Sequence, residues 1–142
     1  MRKVAAAAAL VALSVLVGCG DDDEPLSKEL AGYTDTGDGC AQVVTAISYA
    51  DDVLRSLGQE QHQKFDDAVR SRLGSVNGTV ALEVKDFPSK DELKQARTVG
   101  RLADRAAAPD VEDADRVQAL REYRHEAAQL VIDCAAYLDE PN

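Results

Sequence analysis

From residue 40 onward, apolar residues recur at three- and four-residue steps, the period that gathers side chains on one side of an α-helix. Cys40, Val43, Val44, Ile47, Ala50, Leu54 and Leu57 form the first such stripe. The spacing predicts a helix over about 41–57, with Asp38 or Gly39 near its N-cap and Gly58 as its stop. A second helix is expected over about 60–73, with Phe65, Ala68, Val69 and Leu73 on one side and Gly74 at its end. The pattern then changes. Asn77-Gly78 has the chemistry of a tight turn, and Val80, Leu82 and Val84 alternate with Ala81, Glu83 and Lys85. A lone hairpin is marginal in water, so residues 75–88 read as an extended loop with weak β character lying on the helices.

Pro88 and Ser89 open the third helix, where Ser89 and Glu92 have capping-box spacing. Leu93, Ala96, Val99, Gly100, Ala103 and Ala107 make its inner face, small enough for a neighbour to approach closely. Pro109 breaks the chain and Asp110 can cap the next helix. This last and longest helix, over about 111–138, carries Val117, Leu120, Tyr123, Ala127, Leu130, Val131, Cys134 and Leu138 on its stripe. For 142 residues this predicts one all-α domain. Its expected form is an up-down-up-down four-helix bundle with one extended loop at residues 75–88. A three-helix core with a short extra helix is the competing arrangement.

The first residues belong to a different pattern. Met1-Arg2-Lys3 is basic, Val4 to Val17 is apolar except for Ser14, and small residues come next, as in a secretory leader. The stretch falls short of the roughly 20 residues a bilayer span needs. Leu16-Val17-Gly18-Cys19 resembles the lipobox of bacterial lipoproteins. That resemblance covers residues 1–19. It implies diacylglycerol transfer to the Cys19 thiol, cleavage before Cys19, further acylation such as palmitate, and anchoring to the extracytoplasmic face of the cell membrane. The expected organisation is therefore a signal peptide at 1–18, a lipidated Cys19 with an acidic tether to residue 37, and a helical domain over 38–140. The run Asp21-Asp22-Asp23-Glu24 reads as a hydrated spacer. It lacks the Gly-turned loop and distal Glu that a calcium site would need.

Cysteine usage agrees with that compartment. With Cys19 committed to lipid, Cys40 and Cys134 remain, and an even remainder in an oxidising setting favours a disulfide. In the expected bundle the start of the first helix lies beside the end of the fourth, which places the two thiols together. The formal charge is -10, and the leader holds two of the 16 basic residues and no acid, so the part beyond it is at -12. That balance argues against nucleic acid and against an anionic membrane face as partners. It leaves the membrane, through the lipid anchor, and an envelope protein of unknown identity.

Catalytic chemistry is sparse. Glu122 and His125 have the Glu-x-x-His spacing of di-iron bundles, but that site needs a second such pair, and His62 is preceded at the matching position by Gln59. A solvated helix face is the expected setting for both histidines, and no metal or cofactor is expected. Asp51-Asp52 and Asp66-Asp67 diverge by about 100° on a helix and cannot act as facing carboxylate pairs. No serine sits in a nucleophile elbow and no glycine-rich phosphate loop precedes a helix. Arg97, Arg101 and Arg105 stand at four-residue spacing, where they can hold an acidic partner or, as expected with Asp104 nearby, join a mixed ion-pair face. The function read from the sequence is a membrane-anchored, non-enzymatic interaction or regulatory module of the cell envelope. A small-ligand carrier with a cavity in the bundle is the first alternative, and a metal-binding or enzymatic bundle the second.

Overall fold

The computed structural model describes residues 38–138. The leader, the lipobox with Cys19, the acidic tether and the last two residues of the expected domain lie outside the described residues. Those residues are all-helical and contain no strand. The helices are α1 (Gly39–Asp51), α2 (Asp67–Leu82), α3 (Lys90–Ala107) and α4 (Asp113–Leu138), with a 3₁₀ turn at Glu60–His62 between the first two. Each helix packs on the next, α4 returns to pack on α1, and the 3₁₀ turn rests on α4. Among the described residues no helix is long and apolar enough to cross a membrane.

One core is shared by all four helices. Cys40, Val43, Ile47 and Ala50 of α1 meet Val69, Leu73, Val76 and Val80 of α2. From the other side come Ala96, Val99, Leu102, Ala103 and Ala106 of α3, and Leu120, Tyr123, Ala127, Leu130 and Cys134 of α4. Tyr123 is the largest fully buried side chain. The small residues expected to admit a close neighbour on α3 do so. A Cβ at Gly100 would stand 2.8 Å from Asn77 Oδ1 and 3.2 Å from Asn77 Cα, so α3 crosses α2 at this pair.

Three boundaries differ from the sequence reading, each for a physical reason. The first helix stops at Asp51, six residues short of the expected end. Its last turn tightens into three-residue bonds, Val53 N–H to the Ala50 carbonyl and Leu54 N–H to that of Asp51. Both backbone groups of Arg55 are then taken by side chains. Its N–H donates to Gln63 Oε1 at 2.7 Å, and its carbonyl accepts from Arg124 Nη2, so the helical ladder has no partner left there. Leu57, expected on the stripe, is consequently 79% exposed. Gly58 comes next, in a left-handed turn at φ 86°, a conformation that suits glycine.

The second helix starts seven residues late. Asp66 is its cap, accepting from Val69 N–H at 2.9 Å, and the stretch from Glu60 forms only the 3₁₀ turn. The largest correction is at residues 75–88. No extended loop forms over their first half: α2 runs through Gly74, Asn77 and Gly78 to Leu82. Val76 and Val80 continue the three- and four-residue step from Val69 and Leu73 into the core, and that burial outweighs the glycine cost. Only residues 83–88 make the connection, turned by Asp86 N–H donating to the Glu83 carbonyl.

A Cβ at Gly74 or Gly78 would meet no atom within 4 Å. Gly74→Ala and Gly78→Ala should therefore each stabilise the domain by roughly 0.5–1 kcal/mol. Gly100→Ala should destabilise it, because Asn77 and the α2 backbone must give way. Denaturant unfolding of the three variants checks this. A loss of stability in both α2 variants would argue that the segment is not helical.

Ser89 caps α3 as expected, accepting from the Asp91 and Glu92 N–H groups at 3.1 and 3.4 Å. The reciprocal bond from the Ser89 N–H to Glu92 is not made, so the box is half formed. The α3–α4 connection is held by Arg116, which stands four residues before Leu120 in register with the α4 stripe and is buried although it is charged. Its Nη2 donates to the carbonyls of Ala108 and Val111, each at 2.9 Å, and its guanidinium lies 5.2 Å from the Phe65 ring centroid.

Candidate functional site

The α1–α4 seam is closed at one end by a covalent bond. Cys40 lies in the first turn of α1 and Cys134 about one turn from the end of α4, and the two are disulfide-bonded with Cα atoms 5.4 Å apart. Both side chains are fully buried. The start of α1 is pressed against the α2–α3 connection, Gly39 N–H donating to the Asp86 carbonyl at 3.0 Å. A Cβ at Gly39 would fall 2.8 Å from the Phe87 ring, so the approach depends on glycine. Burial raises the Glu83 carboxyl here, and the neighbouring Asp86 and Asp38 carboxylates add to it.

The other end of the seam opens. After α1 the chain swings outward and back across α4, and Arg124 pins it. Arg124 reaches the Arg55 carbonyl with Nη2 and Glu60 Oε1 with Nη1 at 3.6 Å. Glu60 is buried and Arg124 half-buried, their side chains 5% and 13% exposed. Burial by itself would raise the Glu60 carboxyl. The N–H groups of residue 60 and Gly58, with Arg124 and Arg121, outweigh it and hold Glu60 below its ordinary value. Desolvation pushes Asp51 upward; Arg124 pulls against it and Asp52 adds to it. Beneath them the Tyr123 hydroxyl is buried with no hydrogen-bond partner, and burial with Asp51 nearby raises its phenol.

Between the end of α1, the swinging segment and α4 lies a cleft of about 620 Å³, with Ile47, Leu54 and Val131 on its walls and Asp51, Arg55 and Arg124 as its charged residues. Leu57 and Ile132, at its margin, are 79% and 65% exposed. An apolar surface with a few fixed polar groups binds by contact, and the pair of Arg124 with Glu60 gives it a set shape.

The residues singled out for chemistry are on the surface. Glu122, His125 and His62 are exposed, and Glu122 accepts from Gln118 Nε2 at 2.8 Å. Asp51, Asp52, Asp66 and Asp67 are exposed too, Asp66 serving as a helix cap. Arg97, Arg101 and Arg105 are exposed, but the expected mixed ion-pair face does not form. The ion pairs among the described residues are Arg116–Asp113 and Arg124–Glu60. Among the described residues no group of three or more His, Cys, Asp or Glu comes together to hold a metal ion. Periodicity could not find Arg124 or Glu60, since both are charged residues on segments whose apolar stripe accounts for the packing. Comparison with known protein families, with curated proteins and with solved structures finds no match to this chain.

Proposed function

We propose that this chain is a lipid-anchored protein on the extracytoplasmic face of a bacterial membrane, whose helical domain works as a non-enzymatic interaction or regulatory module in the cell envelope. The observation that carries the reading is the Cys40–Cys134 bridge. It occupies two of the three cysteines and leaves Cys19, the one that stands directly after the leader at the lipobox. A disulfide in a small domain suits an oxidising compartment, and a leader that ends at a remaining cysteine suits acylation there. For the domain we adopt the up-down-up-down topology. The packing of each helix on the next, the return of α4 to α1, and a bridge from the start of α1 to the end of α4 all support it.

The module reading is preferred to the ligand carrier because the cleft is open at the surface, where Leu57 and Ile132 face solvent. An enclosed cavity would be expected to cover such residues.

Cys19→Ala, expressed with its own leader in a bacterial host, should accumulate as an unprocessed precursor without acyl chains. Intact-mass analysis of the membrane fraction checks this. A variant that is cleaved and acylated like the parent would overturn the anchored reading.

A further inference from the structure

We infer that the outer face of α3 is a docking surface for anionic phospholipid headgroups, which lays the domain against the membrane that carries its anchor. Lys90, Lys94, Arg97, Arg101 and Arg105 are all exposed. At 100° per residue they fall within an arc of about 80° and run for about 22 Å along the helix. The opposite side of α3, with Ala96, Val99, Leu102, Ala103 and Ala106, is in the core. Among the described residues none of the five cations makes an ion pair. Asp91 and Asp104 stand at the edges of the stripe, and Glu92 lies on a different side.

The chain's net charge argues against such a surface, but it averages over faces. Charges farther apart than about 8–10 Å are largely screened at physiological salt, and neighbouring helices are spaced by that distance. What a flat surface meets at α3 is therefore set by α3 and its immediate flanks. The α4 flank is mixed, with Arg121 and His125 against Glu122 and Glu126 beside Arg101. On the other flank, α2 contributes Arg70 and has Asp67 as its one acid, while its Arg72 turns to α1 and donates to the Tyr49 carbonyl at 3.0 Å.

The composition of the stripe separates lipid from protein as the occupant. Protein interfaces are centred on buried apolar or aromatic anchors with a polar rim. Every exposed residue of α3 from Lys90 to Arg105 is charged, so the stripe has no such anchor. A stripe of five cations edged by two acids, with no apolar anchor, fits a laterally fluid array of negative headgroups, to which each nearby Lys or Arg adds about fivefold in affinity. The inference rests on the anchored reading, which places the domain within the reach of residues 20–37, at most about 60 Å.

The test uses the mature acylated protein reconstituted into bilayers of phosphatidylcholine alone or mixed equally with phosphatidylglycerol. Lysine acylation rates are read by mass spectrometry. Retention in the pure phosphatidylcholine bilayer reports the anchor independently, so failure of the anchor and failure of the stripe are told apart. Lys90 and Lys94 should be protected severalfold in the anionic bilayer relative to the neutral one, while Lys64 and Lys85 should react equally in both. High salt should abolish the protection. So should Arg97→Gln/Arg101→Gln/Arg105→Gln, which by the same increment weakens docking about a hundredfold. These are surface substitutions, and an unchanged circular dichroism spectrum certifies the fold. Equal rates in the two bilayers, or protection that survives the triple substitution, would overturn the inference. Protection by soluble polyglutamate but by neither bilayer would overturn it as well, and would assign the stripe to an acidic polypeptide.

Discussion

Breaking the Cys40–Cys134 bridge should cost the domain about 3–4 kcal/mol, a large part of the roughly 5–15 kcal/mol that holds a domain of this size together. The bridge closes a separation of 94 residues. Loop-entropy reasoning assigns such a closure about 4–5 kcal/mol, and residual structure in the unfolded chain reduces it. The local setting adds to the effect. The bridge ties down the first turn of α1, a helix of 13 residues, near the length at which isolated helices are marginal. Its other buried core residues are Val43, Ile47 and Ala50, with Val44 and Ala46 packed half-buried beside them. At about 4–8 °C per kcal/mol for a domain of roughly 100 residues, reduction should lower the melting temperature by more than about 10 °C. Both cysteines are fully buried, so the native protein should react slowly with reductant. Cys40→Ala/Cys134→Ala should lose somewhat more stability than the reduced parent, because it also removes buried sulfur from the core. Oxidised and reduced protein melting at the same temperature would sink this account.

The helical class and the pairing of the cysteines were legible because they depend on signals that survive averaging along the chain. The stripe of α4 from Leu120 through Tyr123, Ala127 and Leu130 to Cys134 is buried as its spacing requires. Ser89 caps α3 where the capping spacing puts it. Errors arose where a local preference met a tertiary demand. Gly74, Asn77 and Gly78 each disfavour a helix, and the Val80, Leu82, Val84 alternation offered a strand in its place. The valines at 76 and 80 also fit the helical step from Leu73, and the core takes that option, leaving Leu82 81% exposed at the helix end. The converse error occurred at Leu54 and Leu57. They extend the α1 stripe in register, yet the helix stops before them because Arg55 is held by Gln63 and Arg124.

The side chains that shape the α1–α4 cleft were less legible still. Apolar periodicity locates residues that bury because they are apolar. Arg116, Arg124 and Glu60 bury because particular carbonyls and charges meet them, and those partners lie far away in sequence or in unpredicted turns. Arg124 and Arg55 are 69 residues apart. One sequence-level hint exists: Arg116 stands in register with the α4 stripe, four residues before Leu120, and Arg124 stands beside that stripe, four residues after Leu120.

Arg124→Gln should be the most damaging single substitution outside the apolar core, costing about 3 kcal/mol at neutral pH. The cost lies in the groups it leaves behind. Removing one member of a buried ion pair strands the other charge, at a cost of about 3–5 kcal/mol, and the 3.6 Å separation of this pair places it toward the lower end. The stranded group is Glu60, 4% exposed, which keeps its bonds from residue 60 and Gly58 but loses the nearer guanidinium. The Arg55 carbonyl loses its donor as well, so the segment between α1 and α2 loosens and the cleft loses its shape. The pH dependence distinguishes this cause from simple loss of packing. In the parent, Glu60 titrates below its ordinary value of 4.5, so its contribution is complete above that pH and is lost as pH falls through the lower folded value. In Arg124→Gln the folded carboxyl moves back up, so ionised Glu60 no longer favours the fold to the same degree. The difference between variant and parent should therefore be largest near neutrality and shrink as pH drops below about 4.5, where a protonated Glu60 needs no counter-charge. Denaturant unfolding of both proteins across that range measures it. A penalty as large in acid as at neutral pH would mean that Arg124 acts through its aliphatic stem and the Arg55 carbonyl, and that its pairing with Glu60 contributes little.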